Sequence, residues 1–223
     1  MIRVPIPGAG EVCLSLSPPL EQLGAFARSS SDAPLARYPA GRLRSGELPA
    51  GWLVNRSEEQ IGSGRAAYAS SRRALERLEP LQLEWLRTVV QYETLAISSR
   101  QCGLRWVLCA NRLLRNERQK DALFSRIGTP SIGLPSSPRG SSYSIGWGTT
   151  RRHVLAGEER LRVRYEVQSE RVLFEVLSFS RPRHLLSLLT YPLVVMQQRR
   201  FACDATAVMR RAVNGHQATG LGG

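Results

Sequence analysis

Nine residues decide the fold class: Glu159-Arg160-Leu161-Arg162-Val163-Arg164-Tyr165-Glu166-Val167. Leu161, Val163, Tyr165 and Val167 alternate with Arg160, Arg162, Arg164 and Glu166. Successive side chains of a strand point to opposite faces, so strict period two means a β-strand with one apolar and one wet face. Gln168-Ser169-Glu170 then turns the chain, and Arg171 to Phe179 forms a second strand. There Val172, Phe174 and Val176 alternate with Leu173, Glu175 and Leu177. Both faces are mainly apolar, which places this strand nearer the centre of a sheet. Two such runs joined by a short polar turn predict an antiparallel hairpin.

Downstream, Ser180-Arg181-Pro182 reads as a helix start, with Ser180 as N-cap and Pro182 in the first turn, where a missing N–H is harmless. The helix is expected to run to about Val213, to bend near Pro192 and to stop at Asn214-Gly215. His184 falls in its first turn. Leu185 to Met196 is the most apolar stretch, but it contains Ser187, Thr190 and Pro192 and is far shorter than the roughly 20 apolar residues of a membrane span.

Upstream, Gly62-Ser63-Gly64 leads into a helix over about Arg65 to Glu79, which Pro80 ends. Thr94 to Ser98 and Gly103 to Leu114 read as strands or buried apolar elements. Eleven of the sixteen positions in 127–142 are Gly, Pro or Ser, which predicts a loop. Residues 1–60 read as irregular, with short strands at best. The expected architecture is therefore α+β, an antiparallel sheet packed against a long C-terminal helix over 182–213. An irregular extension covers 1–45, a single domain 46–213 with a Ser/Pro/Gly-rich loop at about 116–142, and a flexible tail 214–223.

The chain has 223 residues, 42% of them hydrophobic, enough for a core without disulfide or metal staples. Cys13, Cys102, Cys109 and Cys203 include no C-x-x-C pair and no cysteine–histidine cluster with zinc spacing. Four reduced thiols and an N-terminus without a signal-peptide pattern point to the cytoplasm. Nothing calls for a metal or cofactor.

Thirty-one basic residues stand against 18 acidic ones, a net charge of +13. Lys120 is the only lysine, and the whole excess arises after residue 60. Arg160, Arg162 and Arg164 fall on one strand face. With Arg151, Arg152, Arg171 and Arg199-Arg200 they would form a basic patch suited to nucleic acid or an acidic membrane. A near-exclusive use of arginine equally fits a coding bias, and no nucleic-acid-binding motif is present.

Gly146 to Glu159 concentrates the candidate chemistry: glycines, Thr149 and Thr150, Arg151 and Arg152, His153, Glu158 and Glu159, immediately before a strand. His153 with Glu158 or Glu159 has the makings of an acid–base pair or of two metal ligands. The same residues also suit a strand–turn–strand corner, with the histidine hydrogen-bonded to a carboxylate. Arg181 reads either as a clamp for a ligand carboxylate or phosphate, or as a tether to Glu158, Glu159 or Glu175. Gly62-x-Gly64 lacks the third glycine and later acidic residue of a dinucleotide loop, so it reads as a turn that launches a helix. No nucleophile elbow or other catalytic motif is recognisable.

The order of these features carries a resemblance: Gly62-x-Gly64 plus helix, then Gly148-Thr149-x-x-x-His153-x-x-x-Gly157-Glu158-Glu159, then Val172-x-Phe174-Glu175, Phe179-Ser180-Arg181-Pro182 and Gln198-Arg199-Arg200-Phe201. It resembles the bacterial and plant family called domain of unknown function nineteen-ninety, or uncharacterised protein family five-four-eight. The likeness covers about 45–213 and is strongest over 146–213. Trp147 stands where the family has Tyr, Thr150-Arg151-Arg152 stands for Leu-Pro-Gly, and residues 116–142 look like an insertion. The resemblance implies a helix-grip, lipid-transfer-like fold and no established activity.

The expected function is binding of a small, partly apolar ligand between sheet and C-terminal helix. Thr149, His153, Glu158, Glu159, Ser180 and Arg181 would supply its polar contacts. The alternative is an anionic-surface binder working through Arg160, Arg162 and Arg164.

Overall fold

The computed structural model describes residues 2–6, 10–15, 19–91, 93–101, 105–113, 141–151, 153–183, 188–189 and 191–218. The elements are β1 (Ile2–Ile6), β2 (Gly10–Ser15), α1 (Leu20–Ser29), α2 (Arg42–Ser45), β3 (Leu53–Ser63), α3 (Gly64–Glu76), a 3₁₀ turn (Glu79–Leu81), β4 (Leu86–Gln91), β5 (Thr94–Gln101), β6 (Arg105–Leu113), β7 (Ser141–Thr149), β8 (Leu155–Tyr165), β9 (Arg171–Pro182) and α4 (Tyr191–Ala218). Among the described residues nine strands form one sheet, ordered β1-β2-β6-β7-β8-β9-β3, with β5 on β6 and β4 on β5. Every pairing is antiparallel.

The expected hairpin is β8–β9, with Leu161 opposite Val176, Val163 opposite Phe174 and Tyr165 opposite Val172. β9 lies between β8 and β3, and every residue from Val172 to Ser180 is buried. Those inward side chains pack on α3 and α4 through Tyr68, Leu75, Phe201, Ala202, Ala205, Met209 and Val213. An antiparallel sheet gripping a long C-terminal helix is the helix-grip arrangement, as expected. Among the described residues no helix is long and apolar enough to cross a membrane.

Several boundaries differ. Ser180 is not a helix cap: β9 continues through Pro182, with Ser180 opposite Leu53 and Gly157. Pro182 closes that strand, a position where its missing N–H disturbs little of the ladder. The helix α4 is described over Tyr191–Ala218, with Leu188 and Leu189 also helical, and Pro192 is the second residue of that range. It also passes through Asn214-Gly215 to Ala218. His184, and residues 116–140 of the predicted loop, lie outside the described residues, while Ser141 and Ser142 open β7.

The expectation of an irregular N-terminal region is corrected as well. α1 buries Leu23, Phe26 and Ala27 against Ala96 on the sheet. These positions are three and four apart, the spacing of one helix face. β3 is an eleven-residue strand paired along β9. Its mixed polarity follows from its edge position, which leaves much of it exposed.

The opposite, outer face of β8, β9 and β3 is organised by one carboxylate. Glu175 is 2% exposed and meets Arg160 at 2.9 Å, Arg162 at 3.0 Å and Arg56 at 3.1 Å. Arg164 pairs with Glu58 at 3.2 Å and Glu166 at 3.3 Å. The three arginines share a face, as the alternation predicts, yet each is held by a carboxylate of its own fold. Breaking a buried ion pair from one side costs more than the pair contributes, because the remaining charge loses its partner. Glu175→Gln is expected to lower unfolding stability by about 2–4 kcal/mol, with part of the charge relieved by water at Arg56. Urea denaturation measures it, and a loss below about 0.5 kcal/mol would show the cluster to be incidental.

Candidate functional site

The far half of α4 packs solidly on the sheet through Ala205, Met209 and Val213. Its near half does not. Between Val194, Gln197, Gln198 and Phe201 of α4 and the inner face of β6–β9 lies a cavity of about 180 Å³. Trp85, Leu86, Ile97, Trp147, Leu155 and Phe201 form apolar walls, while Asn111, Thr149, His153, Glu159, Ser178 and Gln198 bring polar groups.

Each polar group is positioned by the backbone beneath it. Thr149 ends β7, and its Oγ1 accepts the Gly157 N–H at 3.0 Å. Gly157 has a φ of +152°, and a Cβ there would lie 2.0 Å from the Phe179 carbonyl oxygen, so only glycine lets β8 and β9 close at this level. The His153 N–H bonds Thr150 O at 3.1 Å, and its Nδ1 accepts the Leu155 N–H at 3.0 Å. That bond leaves the ring proton on Nε2. Burial, aided by the Arg183 guanidinium, lowers His153 from 6.5 to about 4, so it is neutral near pH 7. Arg183 itself donates to the carbonyl oxygens of Arg151 at 3.0 Å and His153 at 3.3 Å. Ser180 Oγ accepts from Gln198 Nε2 at 3.2 Å and lies 3.3 Å from Tyr191 Oη, which also donates to the Ser180 carbonyl at 2.9 Å. These bonds fasten the start of α4 to the end of β9.

Glu159 is the unusual member. It stands opposite Ser178 in the β8–β9 register, and burial alone raises its carboxyl from 4.5 to about 7. Asn111 Nδ2, Ser178 Oγ and Gln198 Oε1 are buried without a hydrogen-bond partner among the described residues.

Two residues expected at this site face away from it. Glu158 is the neighbour of Glu159, so the pleat sends it to the outer face. There its carboxylate accepts the Gly41 and Leu43 N–H groups and anchors α2. Arg181 likewise lies on the outer face, its guanidinium 4.3 Å above the Trp52 ring. Among the described residues it makes no ion pair with Glu158, Glu159 or Glu175, and it caps the cluster of Tyr38, Trp52 and Phe179 by cation–π contact. Tyr38 lies so close to β7 that a Cβ at Gly148 would sit 2.0 Å from its hydroxyl.

A family model described as a domain of unknown function, DUF1990, matches residues 37–208. The chain belongs to this family. A UPF0548 protein of Deinococcus radiodurans is 30% identical over 199 residues, covering 88% of this chain and 97% of its own. A UPF0548 protein of Arabidopsis thaliana is 29% identical over 177 residues, 74% of this chain and 75% of that one. Among solved structures, human STARD10 aligns over 82% of this chain and 83% of its own at 12% identity, with a TM-score of 0.39.

Within this DUF1990 chain, Asn111, Ser178 and Gln198 were not expected at the site. Ser178 did carry a signal. The inward set of β9 reads Val172, Phe174, Val176 and then turns polar at Ser178 and Ser180, while that of β8 turns polar at Glu159. Asn111 had none, since its strand is adjacent only through β6–β7 pairing across the insertion.

The two perturbed groups oppose each other in their pH linkage. Between about 4 and 6.5 the unfolded chain protonates His153 more than the folded one does, which raises stability as pH rises. Over 4.5 to about 7 the folded chain holds a proton on Glu159 that the unfolded chain has lost, which lowers stability as pH rises. The slopes cancel in their common window. Glu159→Gln is expected to leave stability climbing from about pH 4 to 6.5, and His153→Asn to leave it falling from about 4.5 to 7. Chemical denaturation across pH 4–8 reads both slopes, and parallel profiles for wild type and both variants would refute them.

Proposed function

We propose that this protein binds a small, partly apolar ligand between the inner face of the sheet and the first turns of α4. One observation carries the reading: Asn111 Nδ2, Ser178 Oγ and Gln198 Oε1 are buried without partners beside the same cavity as Glu159. Buried polar groups are normally paired, and each left unpaired costs about 1–3 kcal/mol. Several of them bordering one space with apolar walls is the composition of a ligand site. Thr149, His153 and Ser180 complete its polar end, and Glu158 and Arg181 do not belong to it.

The arginine face supports the alternative poorly, because Arg160, Arg162 and Arg164 are engaged with Glu175, Glu58 and Glu166. Neither Cys109, which is buried, nor Cys203, which is exposed, forms a disulfide among the described residues, which suits the reducing cytoplasm where we place the protein.

A thermal-shift screen of small amphipathic molecules tests the reading, with native mass spectrometry of the freshly purified protein for a co-purified ligand. A ligand at 100 times its Kd adds about 2.7 kcal/mol, a rise of several degrees in Tm. Ser178→Leu, which fills the polar end, is expected to keep the fold and lose the rise. No hit and no co-purified molecule would overturn the reading.

A further inference from the structure

The cavity is charged in one sense only. No lysine or arginine is among the described residues that line it. Its titratable groups are Glu159 on β8, His153 between β7 and β8, and Cys109 on β6. Glu158 borders it too, but its carboxylate is turned outward onto the Gly41 and Leu43 N–H groups. α4 contributes only Val194, Gln197, Gln198 and Phe201, and β9 the hydroxyls of Ser178 and Ser180. The nearby Arg183 spends its guanidinium on backbone carbonyls. Among the unpartnered atoms are Ser178 Oγ, on the residue opposite Glu159 in register, and Gln198 Oε1, which the helix brings to the same cavity. All three can accept hydrogen bonds.

A protonated amine has three N–H donors and no acceptor, which is the complement of that set. We infer that the ligand of this cavity carries a protonated amine, held by the Glu159 carboxylate with Ser178 Oγ and Gln198 Oε1, and lays its apolar part against Trp85, Trp147 and Phe201. The inference rests on the reading of the cavity as a ligand site. A carboxylate or phosphate ligand would meet Glu159 with no cation to offset the repulsion. A cation supplies the compensation that the desolvated Glu159 carboxyl lacks. Asn111 Nδ2 and the neutral His153 Nε2–H remain as donors for an oxygen elsewhere on the same molecule.

Octylamine, octanol and octanoate share one chain and differ in head group, so calorimetric titration of the full chain with each separates the possibilities. At pH 8 octylamine is expected to bind about tenfold tighter than octanol, with octanoate weakest. Between pH 6 and pH 8 octylamine affinity is expected to rise about tenfold as Glu159 ionises around 7, while octanol affinity stays flat. Glu159→Gln is expected to remove both the amine preference and the pH rise while leaving octanol binding in place; the pH series on the unmodified protein stands if that variant folds poorly. Octanol or octanoate binding as tightly as octylamine, or an amine preference that survives Glu159→Gln, overturns the inference and leaves the cavity reading intact. Failure of all three to bind overturns the cavity reading, and the amine inference with it.

Discussion

The register of β8 against β9 sets three things together. Leu161 opposite Val176 belongs to the core, Arg162 opposite Glu175 to the outer ion cluster, and Glu159 opposite Ser178 to the cavity. A slip of one residue would exchange the faces, sending guanidiniums into the core and Leu161, Val163 and Tyr165 into water. The buried Glu175 guards against that slip from outside, because its arginine partners come from β8 and from β3 on its other side. Apolar burial and charge pairing thus select the same pairing independently, and the cavity inherits its geometry from that agreement.

Sheet and helix change character at the same level. Along the inner face the side chains run from Tyr165 and Val172 at the closed end to Glu159, Ser178 and Ser180. Along α4 they run from Val213, Met209 and Ala205 to Phe201 and then Gln198 and Gln197. Two apolar surfaces close on each other, and two polar ones do not, so space opens where both turn polar. Trp85 bounds that space and is itself fixed, its indole N–H donating to Asp204 at 2.7 Å with Arg200 stacked 4.7 Å above the ring.

The hairpin and the gripped helix were legible because alternation and length are local properties of the chain. The start of the helix was misread because Ser180 and Pro182 suit a helix N-terminus locally, while the pairing of Ser180 with both Leu53 and Gly157 is a tertiary fact. α1 was hidden behind prolines and serines, though Leu23, Phe26 and Ala27 have helical spacing. Thr149, His153, Glu159 and Ser180, singled out by their chemistry, all border the cavity. Glu158 and Arg181 were included by proximity along the chain, which in a strand is the wrong measure: adjacent residues are on opposite faces, and residues two apart are neighbours. Asn111 and Gln198 come from elements far from the motif, and only the assembled sheet and helix bring them to it.

The tie from Glu158 to Gly41 spans 117 residues of chain and Leu43 repeats it two residues on, while Ala36 N–H reaches Thr149 O at 2.9 Å and Arg151 N–H reaches Pro34 O at 2.9 Å. A strap of the early sequence therefore braces, from outside, the corner whose inside carries Thr149, His153 and Glu159. Such a brace closes a long loop, and the entropy of that closure is recovered only after β7, β8 and β9 are in place. Its formation is expected to come late on the folding path, so the sheet assembles before the polar end of the cavity takes its final shape.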